Sequence, residues 1–332
     1  MFLSVVLLLL GFVMLVKGAD WFVDGASGLA EKIRIPQLVV GLTVVAFGTS
    51  APELAVSVAS AVKGSADLAV GNVVGSNILN ILLILGLAAV LSPLPVNRQL
   101  RFIDLPVLLG SSALFLLFIA FDHRLDRWEG ILSVCFLVFY TAILVFFALR
   151  ARKEADKIAP PPPPVEEKPK GKYRAWYEGM KGKAWFLVLL LLVGLALIVF
   201  GADVAVDAAT DIAKRLNVPE RIVGLTVVAI GTSLPELVTS TVAAIKGKTD
   251  IAVGNIVGSN IFNILFVAGL SSAIAPAFVP SFTIDAAVAL GAAVLLAVLA
   301  YLPSHKIKRF GGAAMLVCAA GYFVYLFLSA GV

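Results

Sequence analysis

The sequence predicts an all-α integral membrane fold, with ten transmembrane helices in two inverted-topology repeats of five and broken helices at the midplane. Three observations carry this. First, 60% of the 332 residues are hydrophobic and only 14% charged, where roughly a quarter are charged in soluble domains; the mean hydropathy is +1.01. Second, apolar runs near the roughly 20 residues that a spanning helix needs fall at 2–22, 36–62, 67–92, 102–121, 128–149, 184–205, 219–245, 250–275, 283–302 and 310–330. Their length favours helices over the short alternating segments of a barrel. Third, Gly41–Asn80 recurs as Gly224–Asn263 at an offset of 183, with 27 of 40 positions identical.

Taken in order, the first run lacks a basic residue ahead of it and matches the run after Ala184, with Gly18-Ala19-Asp20 answered by Gly201-Ala202-Asp203. It therefore reads as a structural helix and not as a signal peptide. The second run holds GLTVVAFGTSAPEL and the third GNVVGSNILN. Asp104 is expected at the start of the fourth helix and Asp285 at the start of the ninth, where a carboxylate suits a helix N-terminus. The fifth and tenth helices carry the two cysteines, Cys135 and Cys318, expected to be small buried hydrophobes and not a disulfide. Residues 1–150 thus form one membrane repeat and 184–332 the other. Between them, 151–183 is a polar linker with five successive prolines, Pro160 to Pro164, expected to be a mobile polyproline spacer.

An odd number of spans per copy sends the second copy in from the opposite face, the inverted-repeat plan of many secondary transporters. Placing the linker in the cytoplasm puts 19 Lys and Arg inside and 6 outside, leaving out Lys17 within the first helix. The positive-inside rule then sets both termini outside, in a multi-pass protein of the plasma (inner) membrane. No aromatic residues interleave with basic ones on a folded face, so nucleic acid is not an expected partner; membrane lipid is.

Each copy places one glutamate, Glu53 or Glu236, inside an apolar stretch, where a charge costs on the order of 2.5–3.5 kcal/mol. Each follows a proline, and the nearby glycine lets the backbone leave helical geometry. Carbonyls around Ala46 and Thr49 are expected to lose their helical partners, which hydrocarbon tolerates only where protein or a cavity satisfies them. Thr49 and Glu53 lie four residues apart, as do Ser76 and Asn80, so each pair shares a helix face. Thr232, Glu236, Ser259 and Asn263 repeat the pattern. All are hard oxygen donors, suited to Ca²⁺ or Na⁺ and not to a soft metal. Small residues for helix packing explain the glycines and serines, but not two glutamates each just after a proline. Asp20, Asp24, Asp203 and Asp207 lie near helix ends and are expected to serve packing or solvation.

GTSAPEL, GTSLPEL, GNVVGSN and GNIVGSN resemble the two α-repeats of the cation/Ca²⁺ exchanger superfamily, in particular its prokaryotic Na⁺/Ca²⁺ exchangers. The resemblance implies a central Ca²⁺ on Glu53 and Glu236 with backbone oxygens of Thr49 and Thr232. It also implies flanking Na⁺ sites at Ala46, Ser50, Ser76, Ala229, Ser233 and Ser259, with Asn80 and Asn263 as the remaining polar positions. Asparagine at 263, where K⁺-dependent relatives place Asp, resembles the K⁺-independent branch. The ions are then transported substrates, exchanged by alternating access, and no cofactor is implied. Glycines 11, 18, 194 and 201 form smooth faces that let the first and sixth helices slide.

Other classes fit less well. An intramembrane hydrolase needs a base beside its serine, but His123 and His305 fall in loops and no lysine lies near either motif, so an enzyme is not expected. A passive channel needs no competition between two ions for shared oxygens. A proton-coupled Ca²⁺ exchanger using the same glutamates remains the alternative.

Overall fold

The computed structural model describes residues 1–155, 172–216, 229–279 and 282–329, nearly all of them helical. In chain order the helices are α1 (Phe2–Lys32), α2 (Gln37–Thr49), α3 (Ala51–Val62), α4 (Asp67–Leu91), α5 (Leu100–Phe121) and α6 (Arg127–Lys153). The short α7 (Lys172–Lys181) follows. Then come α8 (Ala184–Arg215), α9 (Leu234–Ile245), α10 (Thr249–Ile274), α11 (Thr283–Tyr301) and α12 (Arg309–Leu328). Among the described residues, eight helices are long and apolar enough to cross a membrane, and α2 with α3, bent by 47°, makes a ninth. The expected tenth, 219–245, is represented by the turn Ala229–Gly231 and the 12-residue α9. Its residues 219–228, like Pro160 to Pro164 of the linker, lie outside the described residues.

Four two-residue strands fix the topology. β1 (Leu94–Pro95) pairs antiparallel with β4 (Lys306–Ile307), and β2 (Arg124–Leu125) with β3 (Ala277–Phe278). The first pair lies on the face where α6 ends and α7 begins, here the linker face. The second lies on the opposite, terminal face, where α1 begins. Each pair joins a turn of one repeat to a turn of the other, as two halves related by an axis in the membrane plane require. Arg101 reinforces the linker-face junction: its guanidinium meets His305 Nδ1, and Tyr301 donates to its carbonyl at 2.6 Å.

At 31 and 32 residues, α1 and α8 exceed the expected spans 2–22 and 184–205. At about 1.5 Å per residue each is roughly 46–48 Å long, more than the about 30 Å of hydrocarbon. The excess carries Asp24 and Glu31 of α1, and Asp207 and Asp211 of α8, toward the polar interfaces. The two helices pack along their whole length, because glycines face each other. A Cβ on Gly18 would stand 2.8 Å from the Gly194 carbonyl oxygen, and one on Gly11 2.9 Å from that of Gly201. Small residues let backbones approach where no hydrophobic effect drives helices together.

Two expectations are corrected. Cys135 and Cys318 are exposed, not buried, because they sit on outward-facing sides of α6 and α12. Asp104 does not begin its helix: α5 starts at Leu100, and its first turn is widened to i→i+5 bonding. The carboxylate is fully buried there, accepting the Tyr140 hydroxyl at 2.9 Å. Asp285 does lie in the first turn of α11 and accepts Tyr322 at 2.8 Å.

Gly18→Leu is expected to destabilise the bundle by about 1–3 kcal/mol, since the new side chain meets backbone that cannot step aside. Gly110, with nothing within 4 Å of its Cβ position, should accept Ala without loss. Thermal unfolding of the two detergent-solubilised variants checks both.

Candidate cation site

The site forms where the second helix of each repeat breaks. In the first repeat the helical ladder lapses at Ser50, between α2 and α3. Pro52 has no N–H, so the Gly48 carbonyl lacks the donor four residues on. Gly231 stands in the same relation to Pro235. The Ala46 carbonyl, expected to be freed, keeps its bond from the Ser50 N–H at 3.0 Å. The correction has a simple cause: a proline strips the acceptor four residues before it, which is Gly48. Ser50 and Ser233 then become the N-caps of α3 and α9. This places Glu53 and Glu236 in the first turn of those helices, where the backbone N–H groups and the dipole favour negative charge.

Both glutamates are fully buried. Ser50 Oγ donates to Glu236 Oε1 at 2.8 Å and Ser259 Oγ reaches the same oxygen at 3.4 Å. Ser233 Oγ donates to Ser76 Oγ at 3.2 Å. Glu236 Oε2 and both carboxylate oxygens of Glu53 have no hydrogen-bond partner, and neither do the amides of Asn80 and Asn263. Widened turns at Leu79–Leu85 and Asn263–Ala268 bring these asparagines inward, and such turns concentrate at functional positions. Ala46 and Thr49 are buried as well, and Thr232 is half-buried. The Ala229 backbone begins the turn Ala229–Gly231, while its side chain lies outside the described residues. Among the described residues no three His, Cys, Asp or Glu gather, so the charge of the site is that of two carboxylates among neutral oxygens. A cavity of about 530 Å³ lined by Leu42, Phe47, Tyr140, Leu195 and Phe262 is apolar and includes neither glutamate.

Sequence reading missed the groups that hold the broken ends together. Thr49 Oγ1 donates to Asn255 Oδ1 at 3.0 Å, and Asn255 Nδ2 donates to Ser240 Oγ at 2.9 Å. The same clasp recurs on the other side. Thr232 Oγ1 donates to Asn72 Oδ1 at 3.2 Å, and Asn72 Nδ2 to Ser57 Oγ at 2.9 Å and to the Glu53 carbonyl at 3.2 Å. Each asparagine grips the threonine of the opposite repeat. The signal was present, because Asn72 and Asn255 are themselves 183 apart within GNxxGSN. The clasps differ in one respect: Thr49 and Asn255 are fully buried, while Thr232 and Asn72 are half-exposed. The clasp nearer the linker face is thus fully buried and the one nearer the terminal face half-exposed, with both glutamates fully buried between them.

Asn255→Leu leaves buried hydroxyls without their partner and is expected to cost about 1–3 kcal/mol. Asn72→Leu should cost less, because water reaches the half-exposed clasp. Comparing the midpoints of thermal unfolding tests the difference.

Comparison with known proteins agrees with this architecture. The sodium/calcium exchanger protein family matches residues 3–147 and 186–330. The putative antiporter CaxA of Alkalimonas amylolytica is 37% identical, covering 99% of this chain and 100% of that one. The sodium/calcium exchanger MaX1 of Methanosarcina acetivorans is 34% identical, covering 97% of each. Among solved structures, the sodium-calcium exchanger NCX_Mj soaked with 2.5 mM Na⁺ and 0.1 mM Ca²⁺ superposes with a TM-score of 0.81 at 29% identity, covering 98% of each chain. With the family's match spanning both repeats and two broken helices facing each other across them, this chain belongs to the sodium/calcium exchanger protein family.

Proposed function

We propose that this chain is a secondary antiporter that exchanges Na⁺ for Ca²⁺ by alternating access, without K⁺ and without enzymatic chemistry. The observation that carries the reading is the set of unpartnered oxygens. Glu53 Oε1 and Oε2 and Glu236 Oε2 are buried without hydrogen bonds, and a buried polar group without a partner costs free energy that a bound ion recovers. Two carboxylates carry about two negative charges, which one Ca²⁺ neutralises and several Na⁺ neutralise in its place. In this reading Glu53 and Glu236, with the Thr49 and Thr232 carbonyls, hold the central ion. Ala46, Ser50, Ser76, Ala229, Ser233 and Ser259 hold flanking Na⁺, and Asn80 and Asn263 supply further polar groups. Competition for shared oxygens gives exchange. Crossing with the site empty is disfavoured, because both charges then lie uncompensated at low dielectric.

Three Na⁺ per Ca²⁺ would move one net charge per cycle, worth roughly 2.3 kcal/mol per 100 mV, so an inside-negative potential favours Ca²⁺ extrusion. Lys and Arg concentrate on the linker face, which supports a cytoplasmic linker and both termini outside in the plasma membrane. In this reading the half-exposed clasp of Thr232 and Asn72 lies on the side from which extracellular ions approach. The NCX_Mj structures, which concern extracellular ion exchange and binding-site occlusion, support that orientation by analogy.

⁴⁵Ca²⁺ uptake into Na⁺-loaded proteoliposomes should require an outward Na⁺ gradient and vanish in Glu53→Gln and Glu236→Gln. Alanine at Ser50, Ser76, Ser233 or Ser259 should weaken Na⁺ coupling. Uptake indifferent to Na⁺ but driven by a pH gradient, and unchanged by the serine variants, would instead make the chain a proton-coupled Ca²⁺ exchanger.

A further inference from the structure

On the linker face, Lys246 follows the last residue of α9 and reaches across to α1. Its ammonium sits 2.6 Å from Asp20 Oδ1 and 2.5 Å from Asp24 Oδ1, and donates to the Asp20 carbonyl at 3.0 Å. Asp24 also takes Lys181 of α7 at 2.7 Å and the Tyr177 hydroxyl at 3.2 Å. Burial opposes the charge on Lys181, yet the neighbouring Asp24 carboxylate outweighs it and raises its pKa above the ordinary value. Two ammoniums and two carboxylates thus form a balanced, partly exposed cluster that ties α1 to α9 and to the linker helix.

Adding 183 to each α1 residue, and subtracting it from Lys246, gives the same set on the terminal face: Asp203, Asp207 and Lys63. There the groups are apart. Asp203 and Asp207 are exposed on α8, Lys63 is exposed after α3, and no ion pair joins them. Helix packing differs in the same sense. α1 lies along α9, while α8 makes no comparable contact with α3. A pair that served only to staple the fold would be closed in both repeats. One that is closed on the side of the buried Thr49–Asn255 clasp and apart on the side of the half-exposed Thr232–Asn72 clasp, in residues the repeats share, follows the state of the transporter.

We propose that Lys246 and Lys63 are alternating positioning residues of the transport cycle. Lys246 holds α1 on α9 while the site is sealed toward the linker face. Lys63 takes Asp203 and Asp207 when the paired helices α1 and α8 shift and the site seals toward the terminal face. The proposal rests on the alternating-access reading above. It follows from the inverted symmetry, since exchanging the conformations of two like repeats yields the opposite-facing state. Lys181 has no counterpart in the repeat, so the linker helix adds weight to the linker-sealed state alone.

The test uses the full chain in nanodiscs with Cys135→Ser and Cys318→Ser, and spin labels at Ile33 with Ile245 or at Val62 with Leu216. Both pairs are related by 183, and all four side chains are at least 41% exposed. Pulsed electron spin resonance should give a short separation for 33/245 and a long one for 62/216. Lys246→Met should lengthen the first and shorten the second, changing the population ratio about three- to fivefold, the size expected for one partly exposed ion pair. Lys246→Arg should restore the parent distribution, and adding Lys63→Met to Lys246→Met should remove the new short 62/216 population. Distances that respond to Ca²⁺ and Na⁺ but not to Lys246→Met would overturn the gate while leaving the exchange reading intact. Distances that respond to Lys246→Met but to neither ion would keep the gate and remove the ion assignment.

Discussion

Two carboxylates carried into the middle of an apolar bundle set the conditions for the rest of this structure. A helix running through hydrocarbon satisfies its own backbone but offers nothing to a buried anion. Breaking that helix with a proline solves both problems at once. It turns the residues before Glu53 and Glu236 into N-caps, so each carboxylate sits at the positive end of a new helix, and it leaves the Gly48 and Gly231 carbonyls without their usual donors. The buried serines and asparagines around them follow from the same demand for oxygen donors where water is scarce.

The break would be a weakness if the two halves of each helix were free. They are held by the opposite repeat. Thr49 bonds to Asn255 and Thr232 to Asn72, so neither half-site exists without the other half of the chain. The same dependence appears in Ser50, which reaches the glutamate of the second repeat. Glycines outside the site let α1 and α8 lie backbone to backbone.

The two repeats share most of their motif residues yet take different conformations. One clasp is sealed and the other half-exposed, and one lysine is paired while its counterpart is not. The difference therefore lies in conformation at positions where the two repeats carry the same residues.

The sequence by itself determined the membrane class, the inverted repeat and the donor chemistry of the site. Hydropathy and run length depend on the chain alone, and a repeat of 183 residues with odd parity admits one relation between its halves. It also marked which positions are equivalent, since Asn72 and Asn255, like Lys63 and Lys246, stand at the same offset. Only the tertiary structure decided which side chains meet. The bonds from Thr49 to Asn255 and from Thr232 to Asn72 span 206 and 160 residues, and no local periodicity encodes separations of that size. The same holds for Asp104, placed inside a helix and against Tyr140 by a widened turn, and for Cys135 and Cys318, which α6 and α12 leave exposed. That Lys246 is paired while Lys63 is not is likewise absent from the repeat itself, because both lysines stand at equivalent positions and only the packing around them differs.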